Sequence, residues 1–224
     1  NTLAAVTVES AGDVHFSGVG ATVDVDSLTI GNTTAVGADV EFDAAVNVGG
    51  NVDIDTATLT LDATLDTTAG GTVTITNSGL ADLNAKITSA GTVLFDDATT
   101  GSINMGADIE TTDADAEINI TNAAATLSTD VGLTTSDGAI TLDEVLDDTG
   151  STRSLTLTAG TDNIVIDDNV GVNGGNTLAA VTVESAGDVH FSGAGATVDV
   201  DSLTIGNTTA VGTGGGGTNT EFDA

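Results

Sequence analysis

The sequence predicts an all-β fold, a parallel β-solenoid (β-helix) with about 20–25 residues per coil. Two observations predict it: a long internal repeat, and a short alternation of apolar and polar residues that recurs along the chain. Asn1–Gly37 returns as Asn176–Gly212 with one change, Val19 to Ala194. Self-similarity at a fixed period is typical of repeat architectures, in which each unit contacts only its neighbours.

Short strands are indicated by an apolar–polar–apolar unit that follows Gly or a small polar residue, as in Val14–Phe16. Strict alternation is typical of a strand with one buried face, and Gly, Asn and Asp supply the bends between strands. The units recur at a nearly constant interval, at Val52, Val73, Val93, Ile118, Ile140, Ile164 and Val189. This spacing predicts stacked coils of two or three short strands each.

The composition favours a thin aliphatic core. The chain has no Trp, no Tyr, five Phe and no Pro. Large aromatic side chains usually fill thick globular cores, and Pro cannot donate a hydrogen bond to a strand ladder. We therefore expect residues 1–175 to form one full tandem repeat of about eight coils, and residues 176–224 to begin the next repeat without a break.

Three segments depart from the regular pattern. Two have apolar residues at helical spacing, at Leu80–Ile87 and at Leu142–Leu146, and both are too short for a stable helix. We expect both to be loops that project from the stack. The third is Thr213–Thr220, which replaces Ala38–Val40 of the first copy and adds five residues. Because the repeat resumes after it, we expect a variable loop at a corner.

The charge balance is strongly acidic, with 34 acidic residues against two basic ones, Lys86 and Arg153. Such a surface repels nucleic acid phosphates and anionic lipids, and no apolar run approaches the 18 or so residues of a membrane span. We therefore expect no nucleic acid partner and no membrane insertion. Hard divalent cations, above all Ca²⁺, prefer oxygen ligands and would be attracted.

The candidate calcium ligands are carboxylates that alternate or adjoin near predicted turns and loops. They are Asp113, Asp115, Glu117, Asp147, Asp148, Asp167 and Asp168. The first three lie on one side if that segment is extended, and stacked coils would place carboxylates about 4.8 Å apart. A divalent ion between them would relieve their repulsion. In the alternative interpretation the carboxylates are staggered around the perimeter and form only a solvated acidic coat.

Catalysis has little support in the sequence, and we expect no enzyme. His15 and His190 occupy the same repeat position and are expected to be outward-facing surface side chains. No nucleophile elbow, P-loop, zinc spacing or dinucleotide fingerprint is present. The main alternative is a carbohydrate-active parallel β-helix enzyme. An ice-binding Thr-x-Thr surface is also considered, but Asp residues interrupt the Thr array at many coils.

The units AGDVHFSG, AGTVLFDD, AGGTVTIT and LTLTAGTDNIVID carry a family resemblance. In texture the chain resembles the β-strand-repeat regions of giant bacterial surface proteins, the filamentous-haemagglutinin-like adhesins and fibres. The resemblance implies export to the cell surface or the extracellular space, a β-helical shaft, and a structural or adhesive role. It also implies self-association, in which further repeats stack head-to-tail or within one chain.

Overall fold

A computed structural model describes residues 3–9, 12–18, 20–31, 39–96, 101–147, 152–171, 177–192, 197–206 and 220–222. The described residues form 24 strands and no helix, so none forms a helix long and apolar enough to cross a membrane. The strands pair in parallel and stack as a β-solenoid of three strands per coil, which confirms the predicted fold class. The predicted corner loop at Thr213–Thr220 lies outside the described residues, except for its last residue.

The strands follow one another around the coils in chain order. Coils 1 to 3 contain β1 (Val6–Val8), β2 (Val14–Phe16), β3 (Thr22–Val25), β4 (Leu28–Ile30), β5 (Asp39–Phe42), β6 (Ala45–Val48), β7 (Val52–Thr56), β8 (Thr58–Leu61) and β9 (Leu65–Thr67). Coils 4 and 5 contain β10 (Val73–Asn77), β11 (Leu80–Leu83), β12 (Ile87–Ser89), β13 (Val93–Asp96), β14 (Ser102–Met105) and β15 (Ile109–Thr111).

In the later coils two long strands turn a corner and contribute to two faces each. Coils 6 and 7 contain β16 (Ile118–Leu127), β17 (Val131–Thr134), β18 (Ile140–Asp147) and β19 (Ser154–Thr158). Coils 8 to 10 contain β20 (Ile164–Ile166), β21 (Ala180–Ser185), β22 (Val189–Phe191), β23 (Leu203–Ile205) and β24 (Thr220–Phe222).

Three faces run along the axis, each a parallel stack of strands. Face 1 contains β1, β4, β7, β10, β13, the first halves of β16 and β18, β20, β22 and β24. Face 2 contains β2, β5, β8, β11, β14 and the second halves of β16 and β18. Face 3 contains β3, β6, β9, β12, β15, β17, β19, β21 and β23.

The positions at which the sequence predicted successive coils are direct register partners on face 1. Val52 pairs with Val73, and the remaining positions, Val93, Ile118, Ile140, Ile164 and Val189, follow one another in the same register. Their apolar side chains form a continuous buried column, because each of them is at most 1% exposed. The coil spacing was therefore readable from the sequence alone.

The two predicted loops are wrong. Leu80–Leu83 and Ile87–Ser89 are strands, and Leu142–Leu146 lies within β18. At Leu80 the helical spacing arises because this side chain begins its strand on the outer surface, 43% exposed, whereas Ala81 and Leu83 point inward. In β18 it arises because the strand turns a corner after Leu142, where the register with β16 shifts.

A column of buried hydroxyls lines one corner of the solenoid. Thr67, Ser89, Thr111 and Thr135 occupy equivalent positions at the end of face 3 and are at most 5% exposed. Thr67 Oγ1 donates to the Gly71 carbonyl at 2.7 Å. The Thr111 hydroxyl donates to another turn carbonyl at 2.7 Å, and Thr135 makes the equivalent bond. Each of these hydroxyls thereby finds a hydrogen-bond partner among the turn carbonyls, as buried polar groups require.

Candidate metal centre and acidic surface

One cluster of potential metal ligands lies near the first coils. His15 on β2 is the register partner of Glu41 on β5, and Asp43 follows β5 directly. The His15 Nε2 atom lies 2.8 Å from Asp43 Oδ2 and 3.5 Å from Glu41 Oε2. Among the described residues this is the one group of three or more such side chains with ligand atoms within 4.8 Å of one another.

The two carboxylates change the protonation of His15. The hydrogen bond to Asp43 raises the pKa of His15 above its ordinary value, and the negative charges of Glu41 and Asp43 add to the effect. The charged imidazolium therefore donates to Asp43 over a wider pH range than a free histidine would. One imidazole nitrogen and two carboxylate oxygens are also a donor set that Zn²⁺ accepts, with an open side for water. A metal must displace the proton, so the two compete.

From the sequence, His15 was expected to be an ordinary surface side chain, and the cluster with Glu41 and Asp43 was not predicted. A signal was present in the repeat, because the second copy contains His190, Glu221 and Asp223 at the equivalent positions. His190 is again the register partner of Glu221, although five inserted residues separate the two strands. The strand pairing that assembles the cluster is therefore kept in both copies.

The carboxylates of Asp113, Asp115 and Glu117 do not line one side of a strand. Asp115 has a φ of 62°, and the Ala116 amide donates to the Asp113 carbonyl at 3.3 Å, so the segment is a turn rather than extended. All three acidic residues are exposed, and they do not form a group with ligand atoms within 4.8 Å. The condition for placing the three carboxylates on one side, an extended segment, is therefore not met, and calcium binding at this turn stays a prediction.

The other predicted ligands lie at two separate places. Asp167 and Asp168 follow β20 and are exposed, as the sequence predicted, and Asp167 Oδ1 accepts a hydrogen bond from Ser192 Oγ at 2.5 Å. Asp147 ends β18 rather than lying in a loop, and Asp148 lies outside the described residues. Calcium binding at these residues is likewise still a prediction.

The register of the strands separates the acidic residues from one another. In the strand pairings of the described residues, no Asp or Glu is directly paired with another Asp or Glu. On face 2 the order is Glu41, Thr60, Asp82, Asn104. On face 3 it is Asp24, Asn47, Asp66, Thr88, Glu110, Thr134.

This alternation corrects the expected spacing of carboxylates within the strands. Acidic residues in one register column are separated by at least two coils, about 9.6 Å, rather than by one coil of about 4.8 Å. The repulsion that a bridging ion was expected to relieve is therefore reduced by the register itself. The intervening residues also donate to the carboxylates: Asn47 Nδ2 to Asp24 at 2.9 Å, and Asn104 Nδ2 to Asp82 at 2.6 Å.

The scarce basic groups follow the same arrangement. His15 and His190 each stand one coil away from a Glu, and Lys86 Nζ lies 2.5 Å from Glu110 Oε2 of the next coil. The Lys86 and Glu110 side chains are 42% and 38% exposed, so water and salt screen this pair and it contributes little to stability. Its effect is to place a positive charge beside Glu110 on an acidic surface.

Together, the fold and surface define a class: an acidic, three-sided parallel β-solenoid built from tandem repeats. No protein-family model matches the chain, and searches of curated proteins and of solved structures also found no match. The resemblance to filamentous-haemagglutinin-like proteins therefore still depends on the sequence units that suggested it.

Proposed function

We propose that this chain is a structural, non-catalytic segment of an extracellular bacterial fibre, sheath or adhesin that is built from tandem β-solenoid repeats. The observation that carries this proposal is the continuity of the strand ladder across the repeat boundary. β21 and β22, which open the second copy, pair in register with β19 and β20 of the first. A ladder that continues from repeat to repeat favours an elongated shaft over separate globular units.

The proposed mechanism is mechanical. Backbone hydrogen bonds run along the axis from coil to coil, and each coil also contributes apolar side chains to a continuous core. Pulling along the axis therefore loads many backbone bonds and buried contacts at once. The acidic coat, with a formal net charge of −32, opposes lateral clumping of such shafts.

Calcium has a place in this proposal as a cross-bridge. Because the register separates carboxylates within each strand stack, we place bridging ions at the exposed turns, such as Asp113–Glu117 and Asp167–Asp168, or between neighbouring shafts. Thermal unfolding of the chain with added Ca²⁺ and with EGTA tests the sites within one shaft. An upward shift of Tm with Ca²⁺ supports them, and an unchanged Tm excludes them.

Electron microscopy of a chain with several tandem repeats tests the structural role. We expect unbranched rods whose length grows linearly with repeat number, by about 4.8 Å for each added coil. A string of separated beads would contradict the proposal. Labelling of intact source cells with an antibody against the chain tests the location, and a signal that appears only after lysis would refute it. Release of sugars from acidic polysaccharides by the purified chain would favour the carbohydrate-active alternative.

A further inference from the structure

The two copies of the repeated segment fold onto different faces of the solenoid. β1 lies on face 1, but its sequence twin β21 lies on face 3. β2 lies on face 2, and its twin β22 lies on face 1. Every described strand of the second copy is thus displaced by one face relative to the first.

This displacement gives the length of the period in coils. β1 lies on face 1 of coil 1 and β21 lies on face 3 of coil 8, so the period from Asn1 to Asn176 spans seven coils and two further faces. That is seven and two-thirds coils rather than a whole number. Three consecutive periods would span 23 complete coils and return the segment to its starting face.

The repeated segment tolerates this change because its local pairing is independent of the face. Val6 pairs with Leu28 in the first copy, and Val181 pairs with Leu203 in the second. The isolated bridge between Leu3 and Val25 likewise has its equivalent in the second copy. The sequence of the segment therefore specifies which coils stack, whereas the preceding coils decide the face on which stacking begins.

The twins also differ in what covers them. Leu3 is 60% exposed, whereas its twin Leu178 is 0% exposed. The valines and phenylalanine of β1 and β2 are only partly buried, but their twins in β21 and β22 are at most 4% exposed. The difference arises because β19 and β20 lie beneath the second copy, and no described strand lies beneath the first.

The strands that lie beneath the second copy, at the end of coil 7 and in coil 8, therefore show which strands fit beneath coil 1. β19 pairs with β21, β20 pairs with β22, and Val170 forms a bridge to Val198, the twin of Val23. Besides the strand ladders and this bridge, three backbone amides of the second copy donate across this boundary, from Ala179, Gly187 and Ser192, at 2.8, 2.7 and 2.9 Å. Their twins in the first copy are Ala4, Gly12 and Ser17.

We propose that the open face of coil 1 binds the coil formed by β19, β20 and Val170 of a preceding copy of this repeat, so that successive repeats are rotated by one third of a turn. This inference rests on the proposed fibre role and specifies its geometry. The rise per repeat is about 37 Å, and the repeated segment returns to the same face after about 110 Å. Any surface feature of the segment, including the His15 cluster, is then displayed in three directions around the shaft.

Cysteine cross-linking tests the rotation in the full chain, which has no native Cys. Parallel register partners lie about 4.8 Å apart, within the usual Cα separation of a disulfide. We expect T156C/T182C to form a disulfide and V165C/T182C to form none, because Thr182 pairs with Thr156 on face 3. A period of a whole number of coils would give the opposite result and overturn the proposal. T141C/V165C is the same-face positive control.

Hydrogen exchange tests whether a preceding copy of the repeat binds to the open face of coil 1. One further copy of residues 1–175 is added before Asn1 of the full chain. The amides of the original Ala4, Gly12 and Ser17 should then exchange at least tenfold more slowly, approaching the rates of Ala179, Gly187 and Ser192. Unchanged exchange, with the added copy folded, would overturn the proposal.

The chain without the added copy should remain monomeric, because its own second copy already covers the coil formed by β19, β20 and Val170. A concentration-dependent dimer that protects Ala4, Gly12 and Ser17 would indicate a different occupant and would also overturn the proposal. Failure of the fibre role would show instead in the cell-surface labelling, with the cross-linking result intact. The two failures are therefore distinguishable.

Discussion

The separation of acidic residues by the strand register can be tested by introducing a carboxylate at a position that lies between two acidic residues. Thr60 lies on face 2 between Glu41 on one coil and Asp82 on the next. The substitution Thr60→Asp would place three carboxylates on consecutive coils. We expect it to destabilise the solenoid by electrostatic repulsion from both sides.

The magnitude follows from the coil spacing. Two unit charges about 4.8 Å apart repel by about 0.9 kcal/mol in water, so two neighbours together contribute about 2 kcal/mol at low ionic strength. Because these side chains are solvated, salt should remove most of the effect: at 1 M the Debye length is only about 3 Å. The salt dependence separates charge repulsion from a local packing defect.

Two controls isolate the charge effect. Thr60→Asn has nearly the same shape as the Asp variant without its charge and removes the difference in strand propensity. Thr156→Asp introduces the same charge at a position whose register partners are Gly132 and Thr182, neither of them acidic. Urea denaturation at pH 8, in low salt and in 1 M NaCl, measures the stability of all three variants. Equal destabilisation by T60D and T156D at low salt would refute the reasoning.

Three further predictions follow from the core, the His15 cluster and the corner hydroxyls. Leu178→Ala should lower the free energy of local opening, measured by hydrogen exchange, by about 2.4 kcal/mol. Leu3→Ala should lower it by only about 1 kcal/mol, because Leu3 is already 60% exposed. Equal effects of the two substitutions would contradict the difference in coverage. The raised pKa of His15 means that its stabilising contribution is complete below its unfolded pKa of 6.5 and is lost as pH rises through the folded value. Asp43→Asn should reduce that loss in urea midpoints measured from pH 5 to 9, because it removes the largest cause of the raised pKa and leaves only the charge of Glu41. An unchanged pH profile would exclude the interaction with Asp43. Thr111→Val should cost about 1–3 kcal/mol in urea denaturation by leaving a buried turn carbonyl without its donor, and a neutral result would mean that water satisfies it.

The sequence predicted the coils, because in a solenoid the pattern of inward-facing residues almost fully specifies where each strand lies. Val73 and Val93 could be identified as equivalent from spacing alone, since each inward column repeats once per coil. Helical spacing was misleading where it crossed a corner or included an outward apolar residue, as at Leu80. At those positions the side-chain pattern depends on the bend of the backbone and not on distance along the chain.

By itself, the sequence determined a parallel solenoid with two or three short strands in each coil, and a segment that begins at Asn1 and returns at Asn176. It did not determine in which coil each carboxylate lies or on which face the second copy begins. Both depend on the summed length of every corner between two positions, and corners vary in length from coil to coil. Only the tertiary structure fixes that sum, and it brings His15, Glu41 and Asp43 together while keeping the acidic residues of paired strands apart.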